Sequence, residues 1–123
     1  MPYIARKDYA EQTEVVGNGQ CVSLVKALAG TRPSSVWREG SKVSDLLQKG
    51  LIREGTVIAT FVDGRYQNLP TGNHAAIFVR ALAGGIEIFD QWRNQKPGKR
   101  IIRFDRPPSV GAAQRPELYS VVE

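Results

Sequence analysis

The sequence predicts an α+β fold in which N-terminal helices pack on an antiparallel β-sheet. Apolar residues recur at helical spacing only in the first half of the chain, whereas runs rich in β-branched residues, separated by turn dipeptides, fill the second half. Helices followed by consecutive strands are typical of α+β proteins. The length of 123 residues, with 41% hydrophobic and 24% charged residues, fits one globular domain spanning residues 1–123.

Two helical regions are predicted ahead of the sheet. The first covers residues 20–29, where apolar residues recur every three or four positions, and Gly30 ends it. The second covers residues 35–48. We expect it to break at Gly40, where Ser41 can cap the turn that follows.

Five strands are predicted to follow the helices. They cover residues 56–62, 74–81, 86–92, 100–104 and 118–122. Asp63-Gly64 is a strong turn dipeptide after the first of them, and Gly84-Gly85 marks a hairpin turn between the second and third. Short turns of this kind join antiparallel strands.

Cys21 stands at the start of the first predicted helix, directly after the glycine-rich segment 17–20. The unpaired N–H groups and the positive dipole end of a helix stabilise a thiolate, which makes the sulfur a nucleophile. The same amides can bind an oxyanion. The structural alternative is a small buried core cysteine, because free cysteines are among the most buried residues.

His74 is the only histidine, and it opens a predicted strand. The next two residues, Ala75 and Ala76, are small enough to let a helix approach closely. An imidazole can accept a thiol proton near neutral pH and later protonate a leaving amine. We therefore expect His74 to be the base that serves Cys21. The alternative is a histidine hydrogen-bonded to the local backbone.

Asp90 lies on the next predicted strand and is the candidate for orienting the imidazole. A tight hairpin turn would place it opposite residue 77 or 78, and not opposite His74, so the pairing requires a longer loop, a bulge or strong twist. Gln91 and Asn94 are alternative orienting residues. Asp90 could equally be a solvated carboxylate paired with a nearby arginine.

Four short segments carry these residues in a fixed order: 19–22, 55–61, 73–78 and 88–92. Together they resemble compact papain-like cell-wall hydrolases, the NlpC-type peptidases and CHAP domains, including the small amidase effectors of type VI secretion. The resemblance implies a papain-like fold and a thiol amidase or peptidase that cleaves stem-peptide amides of peptidoglycan. It also implies that Cys21 is the nucleophile, His74 the base and Asp90 the orienting residue.

Further polar and aromatic residues are candidates for contacting substrate or its oxyanion. The candidates for these two roles are Asn18, Gln20, Tyr66, Gln91 and Trp92. Asn68 is a further substrate candidate, and Gln12 and Tyr9 are also chemically able to serve as the second oxyanion donor. Each aromatic residue in this set could equally be a packed surface residue.

Composition excludes several other classes of protein and site. A single cysteine excludes an intrachain disulfide and, with a single histidine, a four-ligand zinc site, so we expect no metal and no cofactor. No apolar run approaches the roughly 20 residues of a membrane span. The net charge of +5 favours an anionic partner. The basic run at residues 93–106 is interpreted as a solvated face, because no nucleic-acid motif accompanies it.

The expected location and partners follow from the N-terminus and the resemblance. Residues 1–8 lack an apolar signal core, so we expect cytoplasmic synthesis and specialised export to the periplasm or wall of a target cell. We expect a monomer, and the resemblance implies peptidoglycan, a secretion apparatus and an immunity protein as partners. The competing functions are a papain-like acyltransferase or deamidase, and a basic binding module without catalysis.

Overall fold

The computed structural model describes residues 2–107 and 109–123. Within them, the helices are α1 (Cys21–Ala29) and α2 (Val43–Lys49). The strands are β1 (Glu39–Lys42), β2 (Val57–Thr60), β3 (Ala75–Leu82), β4 (Gly85–Trp92), β5 (Gln95–Arg103) and β6 (Tyr119–Val122). They form one antiparallel sheet in the order β1-β6-β2-β3-β4-β5, which confirms the predicted α+β class.

The core has two layers, one on each face of the sheet. Leu24, Val25 and Leu28 of α1 are buried against one face, and Val43 of α2 is buried against the other. Burying a side chain of this size stabilises the fold by about 1.5–3 kcal/mol. Alternation along β3 and β4 therefore decides whether a residue points towards α1 or towards α2.

The first helix begins and ends close to the predicted bounds. Gln20 is its N-cap, and Gly30 is its C-cap with a φ of +66°, a left-handed conformation that favours glycine. The glycine-rich approach and the closing glycine are both local signals. They were sufficient to define α1 and to place Cys21 in its first turn.

The predicted second helix is wrong over its first half. A single turn (Ser34–Val36) and strand β1 replace it, and α2 starts only after Lys42, which caps the helix without a side-chain hydrogen bond. β1 pairs with β6, and a Cβ atom at Gly40 would lie 2.9 Å from the backbone oxygen of Val121. Gly40 therefore allows a close approach of two strands, and Ser41 does not cap a helix.

A β-bulge interrupts the hairpin of β3 and β4. Leu82 lies opposite Gly85 at the turn, but further along the hairpin Ile77 lies opposite Phe89. The pairing therefore shifts by one residue, and Val79 is the extra residue on β3. A longer loop, a bulge or strong twist was predicted to be necessary for Asp90 to approach His74, and the structure contains the bulge.

No helix among residues 2–107 and 109–123 combines the length and apolar character that crossing a bilayer requires.

Candidate active site

His74 and Asp90 form a buried ion pair at the end of the β3–β4 hairpin. The imidazole Nε2 lies 2.7 Å from Asp90 Oδ2, and the two side chains are 6% and 1% exposed. The bulge makes this contact possible, because the shifted register carries residue 90 from the α1 face of the sheet to the face of His74. An unshifted hairpin would place Asp90 opposite Ile77 and pointing away.

The backbone of His74 is fixed by the end of β2. Its N–H donates to Thr60 Oγ1 at 3.0 Å, and its carbonyl oxygen accepts from the Thr60 N–H at 3.0 Å. Local backbone therefore holds the main chain, while the ring contacts Asp90 and the edge of Trp92, whose centroid is 6.4 Å away. Because the backbone contacts do not involve the ring, both ring nitrogens remain for interactions with Asp90 and Cys21.

Cys21 is the first residue of α1, and its thiol is half-buried beside the imidazole. The sulfur is 3.5 Å from the hydroxyl of Tyr66 and lies within the electrostatic influence of the His74 ring and of the backbone N–H of Ala75. Because Asp90 occupies Nε2 of the ring, Nδ1 is the nitrogen that remains for an interaction with the thiol. One imidazole thus connects the carboxylate to the sulfur.

These contacts outweigh burial in setting the ionisation of the pair. Burial raises the pKa of the Cys21 thiol, but the hydrogen bond and charge of His74, with Tyr66 and Ala75, lower it below its ordinary value. Burial lowers the pKa of His74, but hydrogen bonds to Asp90 and Cys21 raise it to about 9. Both shifts favour the thiolate–imidazolium pair over the neutral thiol–imidazole pair.

A cleft of about 580 Å³ opens beside the sulfur. It is lined by Asn18, Gln20, Cys21, Val22, Ser23, Lys26, Tyr66, Asn68, Leu69, Pro70, Asn73, His74, Trp92 and Arg93. Most of the predicted substrate-contacting residues are in this set. Asn18 is also part of the loop that starts α1, because its Oδ1 accepts from the N–H of Gln20 at 3.0 Å and from Ser23 Oγ at 2.7 Å.

Comparison with known proteins identifies the family. Residues 4–119 match the family described as domesticated amidase effector 2, Dae2. The chain belongs to the Dae2 family. A type VI secretion amidase effector 2 protein of Salmonella typhi is 44% identical over the full length of both chains. The domesticated amidase effector 2 of Ixodes scapularis is 34% identical over 72% of this chain and 61% of its own length.

A solved structure supports the same assignment at the level of the fold. The structure of type 6 secretion amidase effector 2 (Tae2) superimposes with a TM-score of 0.81 at 36% identity, covering 97% of this chain and 93% of the other. The predicted papain-like α+β fold and the resemblance to small type VI amidase effectors are thereby confirmed. The Dae2-family chain is a member of a group of amidase effectors.

Gln91 does not line the cleft of this Dae2-family protein. Its side chain is fully buried on the α1 face of β4, opposite in direction to Asp90. Its Oε1 accepts from the N–H of Val16 at 3.0 Å, and its Nε2 donates to the carbonyls of Val16 at 2.9 Å and Gln20 at 2.8 Å. The predictions that Gln91 orients His74 or binds substrate are therefore wrong, and its amide instead ties the loop before Cys21 to β4.

Three further residues that the sequence suggested for the site are not among those that line the cleft. Asn94 is in the turn between β4 and β5, with a φ of +73°. Tyr9 is buried, and its hydroxyl donates to Glu54 Oε2 at 2.9 Å. Gln12 donates to the backbone oxygen of Glu14. Of the four residues considered as second oxyanion donor, Asn18 and Gln20 are the two that border the cleft.

Arg100 is the residue of the site that the sequence analysis missed. The charge pattern grouped it with a solvated basic run, but its Nη2 lies 2.7 Å from Asp90 Oδ2, and its guanidinium stacks 4.8 Å from the centroid of the Trp92 ring. No sequence signal separates it from Arg103, because each of these arginines lies two residues from an isoleucine and would share a strand face with it. Lys26 and Arg93, which border the cleft, were likewise not singled out for it.

The Gln91 amide makes a prediction about stability. Gln91→Leu keeps the volume but leaves two carbonyls and one N–H without their partner, so we expect the free energy of unfolding to fall by about 2 kcal/mol or more. Urea denaturation measures this difference. Gln95→Leu, at an exposed position on β5, is the matched control. Equal losses in the two variants would contradict the role given to the buried amide.

Proposed function

We propose that this chain is a cysteine amidase that hydrolyses amide bonds in the peptides of peptidoglycan. The observation that carries the proposal is the continuous contact from Asp90 through the imidazole of His74 to the thiol of Cys21, at the wall of an open cleft. Membership of an amidase effector family supports the reaction class. Nucleophile, base and orienting group are the three components that thiol-dependent acyl transfer requires.

In the first half of the reaction, the Cys21 thiolate attacks the carbonyl carbon of the scissile amide. The negative charge that develops on the carbonyl oxygen is stabilised by the free N–H groups of the first turn of α1, with the side chain of Gln20 as the proposed second donor. The His74 imidazolium then gives its proton to the leaving nitrogen. The C–N bond breaks, the amine leaves, and a thioester joins the acyl group to Cys21.

In the second half, His74 is neutral and accepts a proton from water. The hydroxide equivalent attacks the thioester carbonyl, the C–S bond breaks, and the new carboxylate is released. The sulfur leaves as a thiolate beside the newly formed imidazolium, which restores the starting ion pair. Asp90 accepts the Nε2 hydrogen bond throughout and stabilises the imidazolium whenever it forms.

The charge of the cleft supports a substrate that carries carboxylates. Its two charged lining residues outside the Cys21–His74 pair, Lys26 and Arg93, are both cationic, and the chain carries a net charge of +5. Peptidoglycan stem peptides present free carboxylates along a polymer. Long-range attraction of this kind raises the local concentration of an anionic substrate and its association rate.

Delivery and control are inferred from the relatives. The Salmonella typhi relative is named as a type VI secretion effector, and we extend this route to the present chain, with the wall of a target cell as its destination. An immunity protein in the producing cell would then be required, because the same thiol would act on the producer's own wall. We infer that the protein acts as a single-domain monomer in this setting.

The nucleophile assignment makes the first functional prediction. Cys21→Ala is expected to lower the release of fragments from isolated peptidoglycan sacculi by at least about 10³-fold, because the proposed acyl intermediate forms on its sulfur. Mass spectrometry of the released fragments gives the rate and the bond that is cut. Ser44→Ala, on α2 across the sheet from the cleft, is the control.

The masses also separate hydrolysis from deamidation and acyl transfer. Hydrolysis yields fragments whose masses sum to that of the parent plus one water. A deamidase would leave the chain uncut, and an acyltransferase would join the acyl fragment to a second amine. Equal release by the wild type and Cys21→Ala would remove Cys21 from the mechanism.

The ion pair makes a prediction about pH. The lowered pKa of Cys21 predicts that iodoacetamide alkylates it faster near neutral pH than an ordinary thiol, and His74→Ala is expected to slow this reaction by about tenfold or more, because only Tyr66 and Ala75 then oppose the effect of burial on the thiol pKa. His74 retains its proton until the pH passes about 9. Sacculus hydrolysis should therefore decline as the pH rises through that value, because the leaving nitrogen loses its acid.

Alkylation is a direct readout of the site, since Cys21 is the only cysteine. A thiol that titrates near its ordinary pKa in both the wild type and His74→Ala would contradict the proposed ion pair.

The cationic lining makes a prediction about binding. Neutralising both cations in Lys26→Gln/Arg93→Gln is expected to raise KM for a soluble muropeptide by about three- to fivefold with kcat nearly unchanged, since neither residue contacts the reacting atoms. Steady-state kinetics at low and high salt measure this, and the difference from wild type should shrink at high salt. Lys49→Gln/Arg53→Gln, outside the cleft, is the charge-matched control. An unchanged KM would refute the role of the cationic lining.

A further inference from the structure

Arg100 and His74 contact the same oxygen atom of Asp90. Oδ2 lies 2.7 Å from His74 Nε2 and 2.7 Å from Arg100 Nη2, and Arg100 Nε is 3.1 Å from it. The guanidinium side chain is 23% exposed and the carboxylate 1%. A single desolvated oxygen therefore serves two cationic partners, and the strength of each contact depends on the presence of the other.

The register of β4 and β5 allows Arg100 to reach this oxygen. Asp90 lies opposite Gly98, which presents no side chain, and Arg100 is two residues further along the same face of β5. Trp92 covers the guanidinium at 4.8 Å. The absence of a side chain at the opposing position and the aromatic cover hold the guanidinium over the carboxylate.

Arg100 is the fixed charge in this cluster. His74, Arg100 of β5 and Tyr119 of β6 interact with Asp90 directly. Two further titratable groups lie on the far side of the imidazole: Cys21 of α1 interacts with His74, and Tyr66 of the loop after β2 contacts Cys21. Cys21 and His74 titrate, whereas burial raises the pKa values of Tyr66 and Tyr119 so far that both phenols stay neutral. The guanidinium is a fixed positive charge. Its charge therefore biases every titration in the set in one direction.

We propose that Arg100 is a positioning residue that acts on His74 through Asp90, by holding the shared oxygen and drawing part of its charge away from the imidazole. The inference rests on the proposed function, in which His74 must release a proton to the leaving nitrogen. Asp90 alone would bind the imidazolium strongly and make it a poorer acid. Arg100 keeps the carboxylate ionised while moderating its hold on that proton.

The test separates the positive charge of Arg100 from the planar, two-nitrogen geometry of its guanidinium. Arg100→Gln removes the charge, Arg100→Lys keeps it, and Arg103→Gln neutralises an exposed arginine on the same strand as the matched control. Because the chain has one histidine, the ring signals in its NMR spectrum report the titration of His74 without assignment. We expect the titration midpoint to rise by about half to one pH unit in Arg100→Gln and to stay within error in the other two variants.

Kinetics supply the second readout. In Arg100→Gln, kcat for muropeptide hydrolysis is expected to fall by about three- to tenfold with KM unchanged, because a more basic imidazole is a weaker acid towards the leaving nitrogen. A merely structural contribution would lower the free energy of unfolding without moving the titration of His74. A midpoint in Arg100→Gln that stays unchanged or falls would overturn the inference.

Separate control experiments distinguish a folding defect from the expected change in the titration of His74. Circular dichroism and thermal unfolding verify the fold, and Arg100→Met, which keeps the apolar stem beneath Trp92, replaces Arg100→Gln if that variant does not fold. If neither neutral variant folds, a shifted midpoint in Arg100→Lys overturns the inference and an unchanged one supports it. The titration needs no substrate, so the expected shift in a protein that leaves sacculi intact would refute the amidase proposal while supporting the role of Arg100.

Discussion

The site depends on a shift of one residue between two strands. The bulge at Val79 reverses the faces to which the end of β4 presents its side chains, relative to an unshifted hairpin. With the shift, Asp90 meets His74 and Gln91 points towards α1. Without it, the amide would face the imidazole and the carboxylate would enter an apolar core. A local irregularity in the sheet therefore assigns the roles of two adjacent residues.

The shift also brings the charged side chains of Asp90, His74 and Arg100 together where Asp90 is almost completely shielded from solvent. Transferring an isolated carboxylate from water is costly, and Asp90 is stable there because it has two cationic partners. The balance is reflected in its pKa, which burial raises and which His74 and Arg100 together lower below the ordinary value. The negative charge is in turn what keeps His74 protonated beside the sulfur. The proposed reactivity of Cys21 thus depends on residues at three neighbouring strands: His74 directly before β3, Asp90 on β4 and Arg100 on β5.

Local signals in the sequence were sufficient for part of this arrangement. The glycines around α1 defined the helix and placed Cys21 in its first turn, and Asp63-Gly64 forms the predicted turn, with φ values of +52° and +76°. β1 could not be predicted in this way, because its four residues are polar and become a strand only by pairing with β6. Its partner lies about 80 residues further along the chain.

The charged partners of the site depended on register and not on residue type. Arg100 and Arg103 carry the same charge three residues apart in one basic run, yet one contacts Asp90 and the other is exposed. By residue type, Gln91 and Asp90 are both able to orient His74. The bulge decides between them, because it directs Asp90 to the face of His74 and Gln91 to the opposite face. Spacing along a chain defines a face only when the pairing is regular, and this hairpin is irregular at the position that matters.

The buried amide of Gln91 has a mechanical consequence. It fastens the loop that delivers the sulfur to the same short stretch of β4 from which Asp90 contacts the ring. Bending or twisting of the sheet would move the proposed nucleophile and base together instead of pulling them apart. The distance between them therefore changes little when the sheet fluctuates. A chain of this small size can in this way keep the two side chains aligned without disulfide bonds.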